Sequence, residues 1–170
     1  ATAMPLQDNE FDGLWTIWVL EHVPNPEAAL GEMRRVVKNG GVMLVSPAWN
    51  CAPWAADGYP VRPYSDFGWS GKLYKFSIPF RAIFSGLGLW PVSVVRETQW
   101  KLSGEATRLR YRRLEANYEK YWMPDSDAIN QLARHEVGLW FRSRGDECLN
   151  CDDPQEAGSL VHPLVIRVRK

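Results

Sequence analysis

FDGLWTIWVLEHVPNPEAALGEMRRVVKNGGVMLVSP, residues Phe11–Pro47, decides the fold. Phe11–Val19 is a nearly unbroken apolar run of aromatic and β-branched residues, which predicts a strand buried on both faces. Asn25-Pro26 supplies an N-cap and a proline at the first helical position, and Glu27 puts a negative charge where the helix dipole favours one. Leu30, Met33 and Val37 recur on one face, while Arg34, Arg35 and Lys38 place cations near the carboxyl end. Asn39-Gly40-Gly41 tolerates left-handed backbone and predicts a stop, after which Val42–Val45 begins a second strand. Two apolar strands around one amphipathic helix predict a βαβ unit with parallel strands.

The same residues carry a resemblance. Met4-Pro5-Leu6, Phe11-Asp12, Val19-Leu20-Glu21-His22-Val23, Asn25-Pro26, Glu32, Arg35-Val36-Val37-Lys38, Gly40-Gly41 and Ser46-Pro47 stand in the order and spacing of one family. The stretch resembles the class I, Rossmann-like S-adenosylmethionine-dependent methyltransferases over about the first 47 residues. The resemblance implies the family's fourth strand, fourth helix and fifth strand. The family's glycine-rich cofactor turn has no counterpart, since no G-x-G-x-x-G occurs in the chain. The expectation is therefore the carboxyl-terminal part of a methyltransferase, one domain over residues 1–170. Its fold class would be α/β, with strands equivalent to four-five-seven-six, helices packed on the sheet and a helical-hairpin insertion.

Composition narrows the alternatives. Hydrophobic residues make 45% of the 170 and charged residues 24%, ordinary for a globular domain. Lys and Arg number 20 against 20 Asp and Glu, which argues against a dedicated nucleic-acid binder. No apolar run reaches the roughly 20 residues of a membrane helix. Nine tryptophans exceed what one core hides without a cavity or interface. Three cysteines, an odd number, suit a reducing compartment better than a disulfide framework, so the cytoplasm is expected.

Further along, residues 49–77 mix Pro, Gly and aromatics without period, predicting an ordered aromatic loop. Phe80, Ile83, Phe84 and Leu87 predict a helix capped by Ser77 and closed by Gly88, with a strand over Pro91–Arg96. Residues 104–142 predict two amphipathic helices, one bearing Leu114, Tyr118 and Tyr121, the next Ile129, Leu132, Val137, Trp140 and Phe141. Arg108, Arg110, Arg112 and Arg113 read as a solvated face sooner than a phosphate site. Cys148 and Cys151 form a C-x-x-C outside the context that metal or redox use requires, so a plain surface loop is expected and no metal site. Leu160–Val168 predicts a last strand with Pro163 at its start or at a bulge. By the family layout it runs antiparallel.

Open α/β sheets bind ligands at the carboxyl ends of their strands. By resemblance, Ala3 and Met4 would lie beside the adenine of S-adenosylmethionine, with Thr16, Ile17, Trp18 and Glu21 along its methionine part. His22 is the candidate catalytic base, imidazole being suited to proton transfer near neutral pH; alternatively, Glu21 and His22 brace the helix that follows. Trp49, Asn50 and Tyr74 are candidates for an aromatic wall against a flat or apolar small-molecule acceptor, the alternative being a loop stabilised by its own aromatic cluster. Two functions follow: a small-molecule methyltransferase, or a non-catalytic remnant that binds or self-associates. In the family's strand order, removing the first three strands exposes the edge of Phe11–Val19. Pairing of that edge with a second copy or with an amino-terminal half, or its covering by the chain's own tail or helices, is expected.

Overall fold

A computed structural model describes residues 1–117, 125–151 and 162–170, with residues 82–90 as backbone only. The opening stretch forms β1 (Phe11–Ile17), a short 3-10 turn at Leu20–His22, α1 (Pro26–Val36) and β2 (Val37–Ser46). β1 and β2 are parallel, with Leu14 opposite Met43 and Thr16 opposite Val45. Asn25 caps α1 as expected, its side-chain oxygen accepting the Ala28 N–H at 3.1 Å. Ala29, Leu30, Met33 and Val36 turn the apolar face of α1 into the core.

Asn39-Gly40-Gly41 does not end the helix. Val37 is already extended, and the glycines make an excursion within β2, so that Phe11 pairs with Val37 and Gly13 only with Val42. Gly40 adopts φ +83°, and a Cβ on Gly41 would come within 2.8 Å of the Asp12 carbonyl. Both positions require glycine for backbone reasons.

β6 (Leu164–Arg167) lies antiparallel on the far side of β2, and β5 (Glu147–Cys148) pairs antiparallel with β6. The sheet order is β1-β2-β6-β5. Pro163 directly precedes β6, where its missing N–H costs no ladder bond. The core is built from α1, the inner faces of β2 and β6, and α3 (Arg134–Arg142), with Leu30, Val36, Met43, Val45, Phe141, Leu164 and Ile166 fully buried.

Three expectations are corrected. The strand expected over Pro91–Arg96 is instead helix: α2 runs unbroken from Trp69 to Ser103, through Pro79, Gly88 and Pro91, and takes residues 69–77 out of the aromatic loop. The β propensity of Val92, Val94 and Val95 yields to tertiary contact. Arg96 reaches Glu136 of α3 through two bonds, at 2.9 and 3.1 Å, and Arg142 reaches Glu97 at 3.2 Å. Gly104 ends the helix at φ +67°, its N–H on the Trp100 carbonyl at 2.9 Å. Second, where two helices were expected over 104–142, the described residues hold β3 (Tyr111–Arg113) paired antiparallel with β4 (Asn130–Leu132), and among them only α3 is helical. Tyr118 and Tyr121 lie outside the described residues. Third, β1 is not buried on both faces. As the sheet's edge strand it leaves Trp15 76% exposed and Ile17 and Val19 exposed, while Thr16 alone is buried.

Candidate functional site

The carboxyl ends of β1 and β2 meet in a corner whose backbone is strained. Trp18, the residue after β1, has φ +52° with its N–H on the Ser46 carbonyl at 2.9 Å. Asn50, beyond β2, has φ +56°, and Asp125 has φ +66°. A bulky non-glycine residue in this region costs of order 1–3 kcal/mol, and such strain collects at functional sites. The Trp18 side chain is 72% exposed, so packing does not repay the cost.

Beside it sits Glu21, whose side chain is 1% exposed and whose Oε2 has no hydrogen-bond partner. Burial raises the Glu21 carboxyl above its ordinary range; nearby backbone amides of Glu21 and Ala48 and the His22 ring pull the other way without prevailing. His22 is half exposed. Its Nε2 lies 3.7 Å from Glu21 Oε1, and its Nδ1 lies 3.3 Å from the Asp127 carbonyl and 3.8 Å from Asp127 Oδ2. Asp125 is also raised, first by burial and then by Asp127. Cys51, buried and free, donates to the Ala48 carbonyl at 3.2 Å, and burial with the neighbouring Asp125 and Glu21 charges pushes its thiol up to about 12. At neutral pH it is therefore no nucleophile.

The 125–130 segment holds the corner from above. Ile129 N–H donates to the Glu21 carbonyl at 2.9 Å, and Asn130 Nδ2 donates to the Val23 carbonyl at 2.7 Å. Arg113 of β3 donates to the Pro24 carbonyl. The one basic run thus spends a member on bracing the turn before α1. Asp125, Asp127 and Asn130 carry no local signal, because more than a hundred residues separate them from Glu21 and His22.

The other candidates are more scattered. Met4 is held on the flank of α1, its N–H on Glu32 Oε2 at 2.8 Å and its carbonyl on Arg35 at 3.1 Å. Glu32 lies two turns of helix below Asn25, about 10 Å along the axis. Ala3 beside it is exposed. Thr16 is buried in the sheet, and Ile17 faces outward. Trp49 is a core residue, with its indole N–H on the His162 carbonyl at 3.2 Å, and the Asn50 N–H holds Leu132 at 2.8 Å. Tyr74, now on α2, belongs to a separate cluster in which Tyr59 stacks on Phe67 at 4.6 Å and meets Tyr74 at 4.8 Å. Among the described residues no group of three or more His, Cys, Asp or Glu side chains is arranged to hold a metal ion, and no helix is long and apolar enough to cross a membrane.

Residues 1–45 match a family model described as a methyltransferase domain. The opening segment of the chain is thus similar to a methyltransferase domain. The chain is 34% identical over 102 residues to the ubiquinone/menaquinone biosynthesis C-methyltransferase UbiE of Cupriavidus taiwanensis, covering 56% of this chain and 41% of the relative. It is 30% identical over 108 residues to the enzyme of the same name from Burkholderia cenocepacia, covering 61% and 43%. A demethylmenaquinone methyltransferase of Renibacterium salmoninarum is 46% identical over 46 residues, 27% of this chain and 19% of the relative. The chain thus spans less than half the length of the curated relatives it matches.

The corner suits a cation-bearing ligand. Its carboxylates Glu21, Asp125 and Asp127 only accept hydrogen bonds when ionised, one oxygen of Glu21 is unpartnered, and Trp18, three residues before Glu21, exposes its indole to solvent. A sulfonium with an α-amino group meets that description.

Proposed function

We propose that this chain forms one flank of an S-adenosylmethionine-dependent methyltransferase site acting on a small molecule. The observation that carries the reading is the corner at Trp18–His22: strained, acidic, partly unpaired, and at the carboxyl ends of two parallel strands where such ligands bind. The relatives are named for C-methylation in ubiquinone and menaquinone biosynthesis, which favours an acceptor carbon on a flat ring.

When bound, the cofactor supplies an electrophilic methyl group. The chain's own part is positioning and proton handling. Trp18 and Glu21 would hold the cofactor, the indole by cation–π contact with the sulfonium and the carboxylate by pairing with the ammonium. With Nδ1–H donated to the Asp127 carbonyl, the free lone pair of His22 is on Nε2, and the proton leaving the acceptor goes there; Glu21 Oε1 and Asp127 Oδ2 flank the imidazolium that results.

Equilibrium dialysis with labelled S-adenosylmethionine tests the reading. The wild-type chain retains label saturably, and Trp18→Gly or Glu21→Gln lowers retention at least about fivefold, the loss expected for roughly 1 kcal/mol of cation–π or charge-assisted contact. Equal retention by all three proteins would exclude the corner.

A second reading, a self-associating module, is favoured by the edge position of β1 and the exposure of Trp15, Ile17 and Val19. The occupant we assign to that edge is the β1 strand of a second copy.

A further inference from the structure

Cys148 and Cys151 are joined in a disulfide with their Cα atoms 5.6 Å apart, contrary to the expectation of reduced thiols in a plain loop. An odd cysteine count does not exclude one local bridge, and a three-residue separation closes readily when the chain turns at the end of β5. The turn does more than end a strand. Asn150, inside it, brackets the start of β6: its Nδ2 donates to the Pro163 carbonyl at 2.8 Å, and its Oδ1 accepts the Val165 N–H at 3.0 Å. Leu149 N–H reaches the Val165 carbonyl at 2.8 Å, and Arg134 of α3 donates to the Asn150 carbonyl at 3.2 Å. One residue before Pro163, the His162 carbonyl accepts the indole N–H of Trp49, which follows β2 toward the corner described above.

We propose that the Cys148–Cys151 bridge is a thiol-reactive switch site, which a dithiol reductant opens to release the Asn150 bracket on β6 and, through Pro163 and His162, the seat of Trp49. In the reaction a thiolate of the reductant forms a bond to one cysteine sulfur as the Cys148–Cys151 bond breaks. The second thiol of the reductant then closes on the first, freeing that sulfur. Both cysteines end as protonated thiols, reduced by two electrons, and the reductant leaves as a cyclic disulfide. Two thiols do not remain at bonding distance, so the turn must spread. Cys151 packs against α3 on one side, where a Cβ on Gly138 would lie 2.9 Å from its sulfur. The displacement falls on Leu149 and Asn150, whose hydrogen bonds hold β6. A bridge over so short a loop removes little entropy from the unfolded chain, so its effect is local and not on the stability of the whole. None of this depends on the methyltransferase reading.

Hydrogen exchange by NMR, with and without dithiothreitol, tests the proposal. The reduced protein gains the mass of two hydrogens, its Leu149 and Val165 amides exchange about tenfold faster for the loss of roughly one hydrogen bond each, and the Trp49 indole resonance shifts. The Met33 and Phe141 amides, deep in the core, keep their rates. Cys148→Ser combined with Cys151→Ser reproduces these changes and makes the protein indifferent to the reductant. Unchanged Leu149, Val165 and Trp49 signals on reduction would overturn the switch. So would equal acceleration at Met33 and Phe141, which makes the bridge a clamp on the whole fold, or alkylation of both thiols without reductant.

Discussion

At Trp18 a large side chain stands almost wholly in solvent on a left-handed backbone. The left-handed conformation costs an L-residue about 1–2 kcal/mol, against about 0.5–1 kcal/mol for the freedom a glycine loses on folding. Trp18→Gly is therefore expected to raise the free energy of unfolding by about 0.5 kcal/mol in urea titration while lowering retention of the cofactor at least about fivefold. A residue that stabilises the fold when removed is kept for another reason. Glu21 makes the same point through charge. Because burial raises its folded carboxyl, the folded state holds that proton to a higher pH than the unfolded chain does. The resulting stability is present below the ordinary carboxylate value and is lost as pH rises through the raised one. Glu21→Gln should be more stable than the parent at neutral pH, and the advantage should vanish toward acid pH, as read by denaturation at a series of pH values. An unchanged pH dependence would mean that Glu21 is not desolvated.

Among elements, βαβ was legible and α2 was not. The period of Leu30 and Met33, the Asn25-Pro26 cap and the apolar run before them all point one way, and local preference agrees with the tertiary outcome. Over Pro91–Arg96 they part: three valines and a proline argue locally for a strand, while the helix is held by a contact with no local signature, Arg96 on Glu136 forty residues on. Burial alone would raise Glu136, but the His135 ring 3.6 Å away and the two bonds from Arg96 outweigh it and hold the carboxyl down at about 2. A carboxyl lowered in this way contributes stability above its usual value of 4.5, lost as pH falls through about 2. Removing its partner leaves a buried charge. Arg96→Met should cost about 3–5 kcal/mol at neutral pH, and the difference from the parent should narrow in acid, where Glu136 protonates. The residues 104–142 failed as a helical pair for a related reason. Leu132, assigned to a helix face, pairs with Tyr111 across a strand, and the period around it fits either structure over so short a span.

For the whole molecule, the sheet ends at β1, and that edge carries the apolar surface the sequence foresaw. The corner was legible along β1 and just beyond β2: Trp18, Glu21, His22 and Asn50 are candidates in the sequence, whereas Asp125, Asp127 and Asn130 arrive through the β3–β4 pairing, which no local pattern announces. By sedimentation, the wild-type chain should run as a dimer or larger species whose population rises with concentration. Trp15→Lys, a charge on the exposed strand, should return the monomer mass. A wild-type monomer at every concentration would dismiss self-pairing without touching the corner.

The corner itself is tested most directly by mapping backbone and indole NMR resonances during titration with S-adenosylhomocysteine. The account predicts saturable shifts at Thr16, Ile17, the Trp18 indole, Glu21 and His22, with the β5 and β6 residues unmoved. No shift at Trp18 and Glu21 at saturating ligand, or shifts confined to α2, would contradict it.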